Sequence, residues 1–248
     1  MKNLSSHLSV IGVEPIERQT RYRAKIDAVS PIAARTTFEQ RERCFLGISL
    51  ENPSFARAKL TGMVEWIARR FRHCTVLVGD SIHRITLQSV AGLPPPAARE
   101  RALALGQEFL ARERSVIESY AAPCEFSFLT CAEVEAWPTY ASYYEALRKL
   151  LVEDAAFRSS VESFGRTYHG KHSAHLPEDV LESRVQRSTE YFLEEFSIVC
   201  SLRERHGTSV MVYPGTFSTL AEIAEGHHPG APAELRDLVV VSLKLTAR

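Results

Sequence analysis

Short apolar runs and longer stretches of helical periodicity alternate along most of the chain. Residues 43–48 and 74–80 are apolar runs typical of buried strands, and apolar side chains recur every three to four residues between them. A strand, a helix and a second strand in this order predict a parallel crossover. The pattern therefore predicts a Rossmann-like, doubly wound α/β fold, a parallel sheet flanked by helices.

The same alternation continues to the C-terminus. Further helices are predicted at 96–120, 139–153, 156–168, 177–205 and 216–225, and further strands at 124–130, 209–213 and 235–245. Residues 21–29 are a candidate for an additional strand. No linker long enough to separate two domains interrupts the pattern, so we expect residues 1–248 to form one domain. Residues 1–42 are expected to be an N-terminal extension that packs on it.

Charge does not identify a partner. Thirty basic residues balance thirty acidic ones among the 248 residues, so a site for a polyanion must be a local patch. The five cysteines include no Cys-x-x-Cys pair and lie in largely apolar surroundings, as expected of reduced cysteines in a cytoplasmic protein. No apolar stretch approaches the ~18 residues of a membrane span, so no membrane partner is expected.

Polar side chains follow two of the predicted strands. Ser49 comes directly after residues 43–48, with Asn52 and Pro53 placed to begin the next helix. Tyr213 and Pro214 end a later strand. Because the carboxyl ends of parallel strands share one edge of a sheet, where ligands usually bind, these side chains are candidates for chemistry.

The long helix at 177–205 carries a second candidate pair. Tyr191 and Glu195 are four residues apart, so they lie one turn apart on the same face. Ile198 and Leu202 continue that face, which places the pair against the core. A half-buried glutamate has either a raised pKa or a cationic partner, and both are common at active sites. A solvated glutamate on a surface helix is the alternative.

Several motifs follow one another between residues 43 and 225: "LGIS", Asn52, "EWIARRF", "VLVGD", Tyr-x-x-x-Glu and a strand ending in Tyr-Pro. In this order and spacing, the chain resembles the cyclodipeptide synthases. These small enzymes have a fold like the catalytic domain of the class I tyrosyl- and tryptophanyl-tRNA synthetases. The resemblance implies an aminoacyltransferase that makes a 2,5-diketopiperazine from two aminoacyl-tRNAs. It implies no cofactor and no metal, and a downstream tailoring enzyme is a candidate partner.

The resemblance also assigns roles to residues. Ser49 matches the nucleophilic serine, Tyr191 and Glu195 the catalytic pair, and Tyr213 the second tyrosine. Asn52 and Pro214 match positions that distinguish two subfamilies, and Pro214 favours the Tyr-Pro branch. The implied reaction is ping-pong through an aminoacyl ester on the serine.

In that reaction the hydroxyl of Tyr213 and backbone amides near Ser49 would stabilise the oxyanion. Glu195 and Tyr191 would hold the ammonium of the first aminoacyl group. Tyr191 is the candidate for proton relay during ring closure, with Glu195 as orienter or base.

A pocket behind the serine should select the first amino acid. By spacing, its walls are predicted to be Phe45, Gly47, Leu77, Gly79, Cys131, Ile198 and Met211. Apart from the glycines these side chains are mostly bulky and apolar. We therefore expect a small, uncharged first residue.

Two groups of basic residues are candidates for contact with tRNA. On the helix at 96–120 they are Arg99, Arg101, Arg112 and Arg114, interrupted by glutamates. The second group is Arg69, Arg70, Arg72 and His73, which either meets phosphates or forms a solvated helix end.

Other functions remain as alternatives. His169, His172 and His175 are spaced by three, but Gly170 and Pro177 argue against a rigid metal site. "GISLE" falls one glycine short of the nucleophile elbow of serine hydrolases, which are the enzymatic alternative. ATP-binding signatures of a true synthetase and a dinucleotide fingerprint are missing from the sequence. A non-catalytic tRNA- or protein-binding module is the alternative of a different class.

Overall fold

The computed structural model describes residues 20–172, 177–215 and 218–248. Its centre is a six-stranded sheet with the order β1-β6-β5-β2-β3-β4. The strands are β1 (Tyr22–Ser30), β2 (Arg43–Ile48), β3 (His73–Val78), β4 (Glu125–Thr130), β5 (Val210–Pro214) and β6 (Val239–Ala247). β2 to β6 run parallel, and β1 pairs antiparallel with β6 at one edge. The predicted Rossmann-like α/β fold is confirmed.

Helices cover both faces of the sheet. They are α1 (Arg57–Ala68), α2 (His83–Ala91), α3 (Pro95–Glu118), α4 (Cys131–Glu135), α5 (Pro138–Glu153), α6 (Ala155–His172), α7 (Glu178–His206), α8 (Ser218–Ala224) and α9 (Ala233–Arg236). None of these helices is both long enough and apolar enough to cross a bilayer.

The central strand β2 is apolar from residue 44 to residue 48 because both of its faces are covered there. Cys44, Leu46 and Ile48 pack in the core formed with α1 and α3, whereas Phe45 packs in the core formed with α5 to α9. This alternation follows from the two-residue period of a strand. Residue 45 and the helix α7 therefore face each other across one core.

Three local predictions were wrong at helix boundaries. The helix expected directly after Asn52 begins later, because Pro53–Phe55 form a separate 3-10 turn and Ala56 is extended (φ −56°, ψ 142°) before α1 starts. Phe71, predicted on that helix, lies beyond its end. Leu235, predicted in the last strand, belongs to α9. Residues 216 and 217, predicted to begin a helix, lie outside the described residues.

The helix α2 was not predicted. Its nine residues follow Asp80 closely and end at Gly92, which has φ +66°. Its N-terminal residue His83 is buried and polar, and only Ile85 and Leu87 add apolar side chains to the buried positions, so this short helix shows little of the apolar periodicity on which the sequence prediction depended. This helix forms one wall of the site described next.

The N-terminal part of the described chain belongs to the sheet. Tyr22–Ser30 form the edge strand β1, in register with Val240 to Ala247 except at one irregularity. The expectation of one domain over residues 1–248, with 1–42 as an extension, remains a prediction. Residues 1–19 lie outside the described residues.

Candidate active site

Ser49 and Tyr213 meet at the carboxyl edge of the sheet. β2 and β5 are parallel neighbours in the sheet, so their carboxyl ends lie side by side. The Oγ atom of Ser49 lies 2.8 Å from the hydroxyl oxygen of Tyr213, at hydrogen-bond distance. The amide Nδ2 of Asn52 reaches the same hydroxyl at 3.5 Å. Two side chains predicted to be catalytic are therefore in direct contact.

The helix α7 adds Tyr191 and Glu195 to this contact. Burial raises the pKa of the Tyr191 phenol well above its usual range, Glu195 raises it further, and a hydrogen bond with Ser49 acts in the opposite direction. Tyr191 therefore keeps its proton at physiological pH. It can donate a hydrogen bond, but it is not a free base.

Glu195 is half-buried, and the described residues place no charged partner against its carboxyl group. Burial raises its pKa to about 8. Its Oε2 atom is buried and has no hydrogen-bond partner among the described residues. The preceding residue, Glu194, shows the contrast, because the guanidinium of Arg84 binds both of its oxygens, at 2.8 and 2.5 Å. A cation that reached Glu195 would meet an unpaired acceptor, as expected for a functional carboxylate.

A small cavity lies behind Ser49; we call it the closed cavity because it is less open than the cleft described below. Its volume is about 20 Å³, little more than a single water molecule occupies. All seven residues predicted as pocket walls line it: Phe45, Gly47, Leu77, Gly79, Cys131, Ile198 and Met211. A Cβ atom at Gly47 would lie 3.7 Å from the Tyr213 ring and would take up part of this space. Their role in selecting an amino acid remains a prediction.

Three other walls of the closed cavity were not predicted. Ile48 ends β2, Ile82 precedes α2, and Val199 is on α7 beside Ile198. Ile48 and Val199 neighbour residues that were predicted. Ile82 had no comparable signal, because its position depends on the unpredicted helix α2.

A larger, open cleft lies on the other side of the same residues, with a volume of about 510 Å³. Its walls come from the turn after β2 and from α2, α6 and α7. Apart from the residues already named, they include Leu50, Glu51, His83, Ile85, Thr86, Ser89, Val90, Phe164, His169, Arg187, Ser188 and Phe192. None of these was predicted, and α2, which contributes five of them, was not recognised as a helix.

Four residues line both cavities. They are Ser49, Tyr191, Glu195 and Tyr213. These are the four side chains predicted to carry the chemistry. A group attached to Ser49 would therefore lie between the closed cavity and the open cleft.

The two residues predicted to distinguish subfamilies behave differently. Asn52 lines the open cleft, and its Oδ1 accepts the backbone N–H of Ser54 at 2.9 Å, which caps the 3-10 turn. Pro214 is buried in β5 opposite Leu243 and lines neither cavity. Contact with substrate is thus supported for Asn52 and not for Pro214.

The arginines of α3 all have partners within the chain. Arg99 lies 3.6 Å from Glu135, Arg101 binds Glu108 at 2.8 Å and Arg112 binds Glu113 at 2.6 Å, while the Arg114 guanidinium lies 4.6 Å from the Phe128 ring centre. Arg112 also lines a cavity of about 340 Å³ between α3 and the turn that contains Ser49. Of the four, Arg112 is therefore the one that shares a cavity with the serine.

The second basic cluster lies at the opposite edge of the sheet, where β3 begins. Each member is close to a carboxylate: Arg69 binds Glu65, Arg70 lies 2.9 Å from Glu39, Arg72 lies 3.5 Å from Glu42 and His73 lies 3.1 Å from Glu125. These pairs agree with the interpretation of a solvated helix end.

The described residues contain no group of three metal-ligating side chains. His169 is buried and its Nε2 lies 2.9 Å from the Ser188 hydroxyl. The side chain of His172 and the whole of His175 lie outside the described residues. All five cysteines are buried thiols, and burial raises the pKa of Cys131 well above its usual range. The Cys131 thiol beside Ser49 is therefore neutral.

Known proteins resemble the chain at the level of family and fold. The family model for cyclodipeptide synthase matches residues 29–225. No curated protein shows significant similarity to the chain.

Solved structures share the fold at low sequence identity. A CDPS from Fluoribacter dumoffii is 21% identical, with a TM-score of 0.75 over 92% of this chain and 100% of its own. A Mycobacterium tuberculosis protein, whose structure relates cyclodipeptide synthetases to type I tRNA synthetases, is 14% identical, with a TM-score of 0.64 over 85% of this chain and 87% of its own. A cyclodipeptide synthase from Candidatus Glomeribacter gigasporarum, bound to Phe-tRNAPhe, is 16% identical, with a TM-score of 0.64 over 89% of this chain and 94% of its own.

Burial of Glu195 predicts a specific pH dependence of stability. The pKa of Glu195 is about 8 in the folded chain, against about 4.3 for an exposed glutamate. At pH values between these two pKa values, the folded chain therefore binds one proton more than the unfolded chain. The contribution of Glu195 to the free energy of unfolding is complete at low pH and is lost as the pH rises through the folded pKa. Glu195→Gln removes this loss. The melting temperature of the variant, relative to the native chain, should increase from about pH 5 to about pH 9. A difference that stays constant with pH would contradict the assignment.

Proposed function

The chain belongs to the cyclodipeptide synthase family, and we propose that it joins two aminoacyl groups, each delivered by an aminoacyl-tRNA, into a cyclic dipeptide through an ester on Ser49. The observation that carries the proposal is the position of Ser49, Tyr191, Glu195 and Tyr213 between the closed cavity and the open cleft. A double-displacement reaction needs one covalent carrier that two donors reach in turn. The serine is in contact with both spaces.

In the first step Ser49 Oγ attacks the ester carbonyl of an aminoacyl-tRNA. A bond forms between Oγ and the carbonyl carbon, the bond to the ribose oxygen breaks, and the serine proton passes to that oxygen. Tyr213, whose hydroxyl lies 2.8 Å from Oγ, is placed to relay this proton or to donate to the oxyanion. The ester is already activated, so the step needs no ATP.

The first aminoacyl group would then lie with its side chain in the closed cavity and its ammonium at Glu195. A carboxyl group with a pKa of about 8, whose Oε2 has no hydrogen-bond partner among the described residues, gains both a hydrogen bond and a countercharge from an ammonium. Tyr191, which stays protonated, would orient the group from the adjacent turn of α7.

A second aminoacyl-tRNA reaches the ester through the open cleft. Its amine attacks the carbonyl carbon, an amide bond forms, and Ser49 leaves and regains a proton. The dipeptidyl group is now esterified to the second tRNA, and its free N-terminal amine attacks that ester to close the ring. The bond to the ribose oxygen breaks, and this oxygen takes up the proton that the amine releases. Once a bound ammonium has ionised it, Glu195 can accept a proton, whereas Tyr191 can relay one only by giving up its own as it receives another.

The geometry favours this reaction over the serine hydrolase alternative. Hydrolases of that type require a histidine base bonded to the serine. Among the described residues the hydrogen-bond partners of Ser49 are Tyr213 and Tyr191. His83 lines the same cleft, but its Nε2 faces Glu51 at 3.1 Å.

Subfamily membership and downstream tailoring enzymes remain proposals. Tyr213 and Pro214 end β5 as a Tyr-Pro pair, which supports the Tyr-Pro branch. Asn52, within reach of the Tyr213 hydroxyl, would add a donor that this branch does not require.

Replacing the serine tests the reaction class. Bacteria that express the chain should release a cyclic dipeptide detectable by mass spectrometry of the medium, and Ser49→Ala should abolish it while tRNA affinity persists. Ser54→Ala is the matched control, because the contact that Ser54 makes with Asn52 uses its backbone N–H. A product from both variants would remove Ser49 from the chemistry. No product from the folded native chain, together with retained tRNA affinity, would favour the non-catalytic binding module.

Enlarging the closed cavity tests selection of the first residue. The native chain should load a small, uncharged aminoacyl group on Ser49, because the cavity holds only about 20 Å³. Met211→Ala should admit a larger aliphatic group, as measured by the mass of the loaded protein. Val212→Ala is the control, because Val212 packs in the core on the opposite face of the sheet. Loading of phenylalanine or tyrosine by the native chain would contradict the prediction.

Reversing charge on α3 tests the site of tRNA binding. The variant Arg112→Glu, Arg114→Glu should bind aminoacyl-tRNA more weakly, and the slope of log K against log salt should flatten by about 1 for each phosphate that the helix no longer binds. Arg69→Glu, Arg72→Glu at the opposite edge is the control. Since Arg112 binds Glu113, the milder Arg112→Gln, Arg114→Gln should be compared after both folds are verified. Unchanged binding would place the tRNA off this helix.

A further inference from the structure

The turn that presents Ser49 contains an unfavourable residue. We call Ser49–Asn52 the nucleophile turn, because the N–H of Asn52 donates to the carbonyl of Ser49 at 3.4 Å. Its third residue, Glu51, has φ +59° and is the only non-glycine residue with positive φ in the described part of the chain. Glycine or asparagine is preferred at such a position. A glutamate stays in this conformation only where other contacts hold it.

The side chain of Glu51 makes one such contact. Its Oε2 lies 3.1 Å from Nε2 of His83. The His83 side chain is only 8% exposed, whereas that of Glu51 is 56% exposed. Because a carboxylate only accepts hydrogen bonds, Nε2 must carry the proton in this bond. The pair connects the turn after β2 to the first residue of α2.

His83, the partner of Glu51, is held in place by contacts of the first turn of α2. The backbone N–H of His83 donates to the carbonyl of Asp80 at 3.0 Å. The next residue, Arg84, binds both carboxylate oxygens of Glu194 on α7. The first turn of α2 is therefore connected to the segment that follows β3 and to α7 beside it. His83 can act as a fixed point for the nucleophile turn.

A second contact holds the other side of the turn. The N–H of Gly79 donates to the carbonyl of Ile48 at 2.9 Å, directly before Ser49. The backbone at Ile48 and the side chain of Glu51 are thus both connected to the segment after β3. Ser49 lies between these two points, with its Oγ at 2.8 Å from Tyr213.

We propose that His83, acting through Glu51, is a positioning residue that holds the nucleophile turn so that Ser49 faces Tyr213 before aminoacyl-tRNA binds. The inference rests on the acyl-transfer role proposed above for Ser49. A hydrogen bond to a carboxylate as exposed as that of Glu51 contributes little to stability. Its effect should therefore appear in the rate of loading and not in the melting temperature.

Single-turnover loading of Ser49 from aminoacyl-tRNA measures this effect. His83→Leu removes the donor and should load about tenfold to a hundredfold more slowly, with the half-saturating tRNA concentration unchanged. His83→Gln keeps an N–H donor near the position of Nε2 and should recover most of the rate. Glu51→Gly suits the positive φ but loses the pair, so it should load slowly while melting no lower than the native chain.

A second His–Glu pair provides the matched control. His73 lies 3.1 Å from Glu125 at the opposite edge of the sheet, the same separation as in the proposed pair. His73→Leu should load Ser49 at the native rate. Native rates for both His83→Leu and Glu51→Gly would overturn the proposal.

Hydrogen exchange separates the inference from the proposed function, because it does not require acyl transfer. Amides in the segment that contains the nucleophile turn should exchange faster in His83→Leu and Glu51→Gly than in the native chain, His83→Gln or His73→Leu. If the folded native chain fails to load Ser49, the proposed function fails, and exchange still decides the role of His83. Unchanged exchange in both variants overturns that role.

Discussion

The parallel pairing of β2 with β5 is the constraint on which the site depends. Once Phe45 is in register with Met211, the residues that follow each strand must meet at one edge of the sheet, and Ser49 and Tyr213 come within hydrogen-bond distance. The same register places Phe45, Gly47 and Met211 on the face that α7 covers. The closed cavity behind the serine therefore follows from the two-residue period of the strands.

Burial then sets the chemistry of the side chains that α7 contributes. Glu194 and Glu195 are adjacent in sequence, yet Glu194 is neutralised by Arg84, whereas Glu195 has no countercharge in the part of the chain that the structure describes. Leaving a buried carboxyl group unpaired is unfavourable for folding, because it must be protonated to remain there. The same isolation makes Glu195 a strong site for a positive group. Tyr191, beside it, is kept neutral by the same burial and is restricted to donating or relaying a proton.

Strand periodicity explains how much of the site could be predicted. Ser49, Tyr213 and the closed-cavity walls on β2, β3 and β5 follow from alternation along strands, and Tyr191 and Glu195 follow from helical spacing. The open cleft could not be predicted in this way. Beside α6 and α7, its walls come from α2, whose N-terminal residue His83 is held by polar contacts, and from the left-handed Glu51, which no sequence rule favours. The arginines of α3 were recognised by charge alone, and charge does not reveal that carboxylates or aromatic rings already bind them.

The central claim is that Ser49 carries the first aminoacyl group between the two cavities. Peptide-mapping mass spectrometry of the chain, quenched rapidly after mixing with aminoacyl-tRNA, tests it most directly. We expect one aminoacyl group on the peptide that contains Ser49, appearing before any cyclic dipeptide and absent from Ser49→Ala. Formation of cyclic dipeptide with no adduct on Ser49 at any time, or with the adduct on another residue, would contradict the claim.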